Sequence, residues 1–194
     1  MFKAKQALLA SLLLTAVVAG GLLWHQSETL PKRGPQIAVG GPYTLTDQDG
    51  NSRSNTDFRG KYQLIYFGYT SCPDVCPTTL AIIAAAMDKL GPTGDRIVPI
   101  FITIDPERDK PAVLKSYLAA FGPRFVGLTG TPEQLGPIEK EFRVYAKRQP
   151  LQDGSYSMDH SSVIYLMGPD SKLISFYDAA ASPEDLAKDI RHRL

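Results

Sequence analysis

The chain of 194 residues predicts an α/β class: a thioredoxin-like domain with a central mixed sheet, preceded by an N-terminal transmembrane helix. Three observations carry this. An uncharged stretch opens the sequence. Apolar runs of strand character then alternate with segments of helical spacing. The only two cysteines, Cys72 and Cys76, fall between a buried strand and a helix start. Strands separated by helices need crossovers, so part of the sheet is parallel, and the last two strands read as an antiparallel hairpin. A cysteine motif between a buried strand and a helix start is the layout of thioredoxin-like domains.

Residues 1–24 form the predicted anchor. Ala7 to Trp24 carries no charge, and at roughly 1.5 Å per residue a helix of this length spans about 27 Å, close to a bilayer core. Lys3 and Lys5 precede it, which places the amino end in the cytoplasm and the rest across the membrane. The rival is a cleaved signal peptide, with small residues at Val17-Val18-Ala19. Signal cores are shorter, at roughly 7–15 residues, so the length favours an uncleaved anchor. Residues 25–42 mix polar residues with Pro and Gly and read as a flexible linker. Residues 43–194 then form one domain of ordinary size. With 43% hydrophobic residues that domain can build its own core. The formal charge of +1 gives no footprint for nucleic acid.

Along the domain, Tyr43 to Thr46 reads as a strand, with a turn at Asp49-Gly50-Asn51. Gln63 to Phe67 is a buried strand. After the cysteines a helix runs from Pro77 to Leu90, with Leu80, Ile83, Met87 and Leu90 at helical spacing and Gly91-Pro92 as its stop. Ile97 to Ile104 is a second buried strand. Pro111 to Phe121 is a helix closed by Gly122, and Phe125 to Leu128 is a third strand. Thr131, Pro132 and Gln134 form a capping box for the next helix. Ser162 to Leu166 and Lys172 to Phe176 make a hairpin around Gly168-Pro169-Asp170, and Ser182, Pro183 and Asp185 start the last helix.

The cysteine pair admits three readings. A structural disulfide suits the compartment, but a loop of about five residues is worth only roughly 2 kcal/mol of chain entropy. A thiol–disulfide enzyme is favoured by Pro77 in the first helical turn, which puts both sulfurs at the positive end of a helix dipole and predicts lowered thiol pKa values. Against it, three residues separate the cysteines where the familiar redox motif has two, and the sulfurs can diverge enough to hold an ion. That is the third reading, and it needs at least one more ligand. Of three histidines, His25 lies in the linker and His192 suits a helix carboxyl end for dipole reasons. His160 stands just before the strand Val163 to Leu166, where a thioredoxin-like sheet faces the cysteine helix. Two thiolates and an imidazole suit copper(I) or copper(II). Zinc would want a fourth strong ligand, from Asp159 or Asp105.

Three blocks then stand together: Phe67 to Pro77 (FGYTSCPDVCP), Ile104 to Asp109 (IDPERD), and Asp159-His160 before an apolar strand. From about Ile37 to its end, with the anchor, the chain resembles the Sco/SenC family of copper chaperones and departs from the pattern at none of these positions. The resemblance implies a thioredoxin-like fold, one bound copper and a part in building the CuA centre of cytochrome c oxidase subunit II. It implies Cys72, Cys76 and His160 as copper ligands, Asp105 as a supporting aspartate and, more weakly, Asp159 as the residue that orients His160. It places the protein in the bacterial inner membrane with the domain facing the periplasm, where another copper chaperone is a second candidate partner. Ser161-Ser162 takes the place that thioredoxin-type enzymes give a cis-proline, which favours ligation over exchange with protein disulfides. The alternative function is a periplasmic oxidoreductase that uses Cys72 and Cys76 as a redox-active disulfide to reduce the target's cysteines. A peroxidase of the same fold is disfavoured by the cysteine spacing and by the histidine in the cleft.

Overall fold

A computed structural model describes residues 38–194 of the chain. The predicted anchor and residues 25–37 of the predicted linker lie outside the described residues. Among the described residues no helix is long and apolar enough to cross a membrane. The remaining linker residues approach the domain, and the Gly40 amide donates to the Glu141 carbonyl at 3.1 Å.

Among the described residues nine strands and four α-helices follow one another. The strands are β1 (Thr44–Asp47), β2 (Ser52–Ser54), β3 (Tyr62–Gly68), β4 (Ile97–Thr103), β5 (Val126–Thr129), β6 (Ala146–Pro150), β7 (Tyr156–His160), β8 (Val163–Met167) and β9 (Leu173–Asp178). The helices are α1 (Val75–Leu90), α2 (Pro111–Leu118), α3 (Pro132–Glu141) and α4 (Pro183–Arg193). Seven strands form one sheet in the order β2-β1-β5-β4-β3-β8-β9. Strands β3, β4 and β5 run parallel, while β1 and β8 join them antiparallel, so the sheet is mixed as the sequence predicts.

The two central strands, β3 and β4, are buried almost throughout, which is why they read as continuous apolar runs. Their side chains still alternate between two layers. On one face Tyr66 meets Phe101 (centroids 6.3 Å apart), and the aromatic row continues through Tyr117 to Phe121, just past α2. On the other, Phe67 meets Phe142 and Tyr165 at 5.2 and 6.1 Å, just past α3. The Tyr165 hydroxyl donates to the Phe142 carbonyl at 2.9 Å, satisfying a buried acceptor at the helix end.

Local signals hold where they rest on capping and turn chemistry. The Thr131 amide donates to Gln134 Oε1 at 2.9 Å, and the Ser182 hydroxyl accepts from the Asp185 amide at 3.1 Å. Gly122 closes the α2 segment at φ 109°, a conformation that needs no Cβ. The predicted helix from Pro111 to Phe121 is α-helical only to Leu118, and Ala119–Phe121 tighten into a 3₁₀ turn. The helix after the cysteines starts at Val75 rather than Pro77, which draws Cys76 into its first turn.

Two parts of the fold are absent from the sequence reading. β2 is a three-residue polar strand, held because the buried Asp47 carboxylate accepts from the Asp49 and Asn51 amides (2.9 and 2.8 Å) and pairs with Arg53 (2.9 Å). The β6–β7 hairpin stands apart from the main sheet. β6 (AKRQP) is mostly polar and β7 (YSMDH) alternates only through Tyr156 and Met158, so the apolar signal is too short to announce a strand.

Candidate metal centre

The cysteine side is built from the sheet outward. β3 ends at Gly68, where an added Cβ would lie 2.8 Å from Cys76 Sγ and 2.9 Å from Phe101 Cε2, so the close approach of strand and helix requires glycine here. The loop after it is pinned by Asp109, a fully buried carboxylate. It accepts from the Thr70 amide at 3.0 Å, the Thr70 hydroxyl at 2.5 Å and the Thr103 hydroxyl at 2.6 Å. Burial raises the Asp109 pKa, and the same three hydrogen bonds oppose that rise. The Cys72 amide then donates to the Tyr69 carbonyl at 3.2 Å, and the Cys76 amide donates to Cys72 Sγ at 3.4 Å. Cys72 is half-buried and Cys76 buried, and both are free thiols.

The helix dipole does not win at Cys76. Its thiol is pushed up to about 12, first by burial and then by the neighbouring Cys72, against the help of a hydrogen bond from the Tyr66 hydroxyl at 3.7 Å. Desolvation of a thiolate on the core side of the first turn outweighs the partial charge of the helix end. The lowered pKa predicted for both sulfurs is therefore corrected for Cys76.

His160 arrives from the opposite side. It is the last residue of β7, not a residue of the loop before β8, and its Nε2 lies 3.4 Å from Cys76 Sγ. Its Nδ1 is 2.9 Å from the Ser161 carbonyl, which can only accept, so Nδ1 carries the proton and Nε2 presents its lone pair to the sulfurs. Burial lowers the His160 pKa and keeps the ring neutral. Tyr69 and Tyr66 flank it edge-on, at 5.9 and 6.2 Å between centroids. The three donor atoms of Cys72, Cys76 and His160 all lie within 4.8 Å of one another, and among the described residues no carboxylate joins them.

The two aspartates have other work. Asp105, 2% exposed, forms an ion pair with Arg108 and accepts from the Tyr156 hydroxyl at 2.9 Å. Asp159 is exposed and accepts from Gln149 Nε2 at 2.6 Å. The orientation expected from Asp159 comes from the Ser161 carbonyl instead, and the fourth zinc ligand expected of either aspartate is not at hand. His192 sits exposed in the last turn of α4, as its sequence position predicts. Arg108, Asp109, Tyr156, Tyr66 and Gly68 were not singled out by sequence reasoning. Arg108 and Asp109 lie in the same IDPERD block as Asp105, and a buried charge between two apolar segments was the signal that could have found them.

Fold and donor set together define a class: thioredoxin-like domains with a mixed central sheet whose cysteine pair faces an imidazole across an open cleft and can take a soft metal. The chain belongs to the SCO1/SenC family, whose sequence pattern matches residues 31–194. Protein SCO1 homolog 1, mitochondrial, of Arabidopsis thaliana is 39% identical over 168 residues, covering 82% of this chain and 50% of that protein. Protein sco1 of Schizosaccharomyces pombe is 45% identical over 161 residues, covering 80% of this chain and 60% of that one. The match thus spans half to three-fifths of the length of these relatives. The structure of Bradyrhizobium japonicum ScoI with copper bound superposes with a TM-score of 0.76 at 44% identity, covering 81% of this chain and all of that one.

Proposed function

We propose that the protein is a copper metallochaperone, anchored to the bacterial inner membrane by residues 1–24, tethered by residues 25–42 and working in the periplasm through residues 43–194. It takes one copper ion on Cys72, Cys76 and His160 and passes it to the CuA site of cytochrome c oxidase subunit II, with another periplasmic copper chaperone as the candidate donor. The observation that carries this is the placement of two sulfurs and a neutral imidazole nitrogen within 4.8 Å of one another. Copper bound to a family member of the same fold supports the choice of ion. Copper(I) is satisfied by the two thiolates, and the imidazole adds the harder donor that copper(II) prefers. An ion that binds would displace the thiol protons into solvent, so the high pKa of free Cys76 does not bar ligation.

One observation favours the second reading, a thiol–disulfide reductase acting on the target's cysteines. Cys72 is half-exposed while Cys76 is buried just behind it, the order expected of an attacking and a resolving thiol. In that reaction Cys72 opens the target disulfide to a mixed disulfide, and Cys76 displaces the target. Two electrons and two protons pass to the target, a Cys72–Cys76 disulfide is left, and a thiol reductant must restore it.

Copper titration of the reduced full chain in detergent tests the first reading. One equivalent of copper(II) is expected to give thiolate-to-copper charge-transfer absorption that the Cys72→Ser, Cys76→Ser double variant lacks. Bands that survive in that variant overturn the site assignment.

A further inference from the structure

His160 rides on a hairpin that is not hydrogen-bonded into the seven-stranded sheet. Something other than strand pairing has to hold the imidazole against the sulfurs. Arg108, in the segment between β4 and α2, is anchored there by one contact and meets that hairpin at two points. Its Nε pairs with the buried Asp105, its Nη1 donates to the Tyr156 carbonyl at 2.9 Å, and its guanidinium carbon lies 3.8 Å from the Tyr156 ring centroid. Tyr156 returns its hydroxyl hydrogen bond to Asp105 at 2.9 Å, closing a ring of contacts between Asp105, Arg108 and the first residue of β7. Arg148 of β6 also stands 3.8 Å from the same ring centroid and pairs with Glu107. Two guanidinium groups can approach one ring this closely only from opposite faces, so Tyr156 is held between them. Arg108 further lies 5.6 Å from the centroid of Tyr69, the ring that flanks His160.

We propose that Arg108, oriented by Asp105, is the positioning residue that sets the distance between His160 and the two sulfurs. It clamps the start of β7, and His160 is the end of the same five-residue strand. An Arg suits the place because a planar guanidinium can face a carboxylate, a carbonyl and a ring face at once, which a lysine ammonium cannot. The proposal gives Asp105 a physical role without placing it on the metal. It rests on the copper-site reading only for its copper readouts.

The test uses the full chain in detergent with three variants, Arg108→Lys, Arg108→Gln and Tyr156→Phe, and two readouts. The first is affinity for copper(II) and for copper(I), each by competition with a chromophoric chelator. The second is amide hydrogen exchange of residues 146–160 in the copper-free protein, which does not depend on copper binding. Both Arg108 variants are expected to lower copper(II) affinity roughly 10- to 100-fold, the usual cost of losing a group that orients a ligand. Copper(I) affinity should hold, and exchange in the hairpin should quicken. Tyr156→Phe removes one hydrogen bond and should shift both readouts the same way by less; it keeps the question decidable if an Arg108 variant fails to fold. In a His160→Ala background, Arg108→Gln should cost copper(II) nothing further, because its effect passes through the imidazole. Wild-type copper(II) affinity and wild-type hairpin exchange in the variants overturn the proposal. So does an additive loss in the double variant, or an equal loss of both oxidation states. If the unaltered chain takes up no copper, the metal-site reading fails, while hairpin exchange still decides the clamp.

Discussion

Cys76 and His160 stand 3.4 Å apart on supports of different construction. The cysteine side belongs to the core: β3 is buried along its length, Gly68 lets α1 close on it, and Asp109 ties the loop to β4, accepting two hydrogen bonds from Thr70 and one from Thr103. The histidine side is a two-stranded hairpin with partly exposed faces, tied to the body by the polar and cation–π contacts around Arg108 and Tyr156. Regions with few buried contacts open at lower free energy than core strands. The sulfurs are thus the fixed half of the site and the imidazole the adjustable half. On the proposed copper-carrying function, such a division would give thiolates that hold the ion throughout and a third donor whose withdrawal lowers affinity when a partner's ligands approach.

The largest expected effect comes from breaking the fixed half. Gly68→Val puts branched carbon where Cys76 Sγ and Phe101 already sit at 2.8 and 2.9 Å from the Cβ position. Overpacking of this kind costs about 1–3 kcal/mol, and the clash is with a ligand as well as with a core ring. Urea unfolding should show a lower midpoint, and uptake of both copper oxidation states should fall together. A variant as stable as the parent would show that strand and helix can separate at no cost.

Breaking the adjustable half is expected to be selective. His160→Ala should leave stability nearly unchanged, since the ring is only half-buried, and should hold copper(I) on the two thiolates. Copper(II) affinity should fall by more than the roughly 10- to 100-fold that an orienting residue commands. Equal affinities for both ions in the variant and the parent would remove His160 from the site; His192→Ala, on the exposed end of α4, serves as the silent control. The smallest effect belongs to Asp159→Asn. Its carboxylate is exposed and bonded to Gln149, while the Ser161 carbonyl orients the ring, so copper(II) absorption should match the parent. A shifted spectrum would restore the orienting role that the resemblance assigns to Asp159.

The same division marks what the sequence makes legible. Buried parallel strands announce themselves as apolar runs, and caps such as Thr131–Gln134 are local, so β3, β4 and the helices can be read with ends off by a few residues. Cys72 and Cys76 stand out as the only cysteines, and His160 as the one histidine with a strand behind it. The hairpin that carries His160 is hard to see because β6 is mostly polar and β7 offers only Tyr156 and Met158 as alternating apolar residues. Arg108 and Asp109 are hidden for another reason. Their partners, Tyr156 and Thr70, lie 48 and 39 residues away, and no local pattern encodes a tertiary contact. Cys76 shows that even a correctly placed motif can mislead, since a position at a helix start does not reveal which way the side chain is buried.

The central claim, two sulfurs on a fixed support and an imidazole on a movable one, is tested most directly by X-ray absorption at the copper edge on the full chain loaded with one equivalent. The copper(II) form should show two sulfur scatterers with an imidazole nitrogen, and the copper(I) form should keep both sulfurs while the imidazole signal weakens. A spectrum with one sulfur in either state, or with the nitrogen retained equally in both, would contradict it.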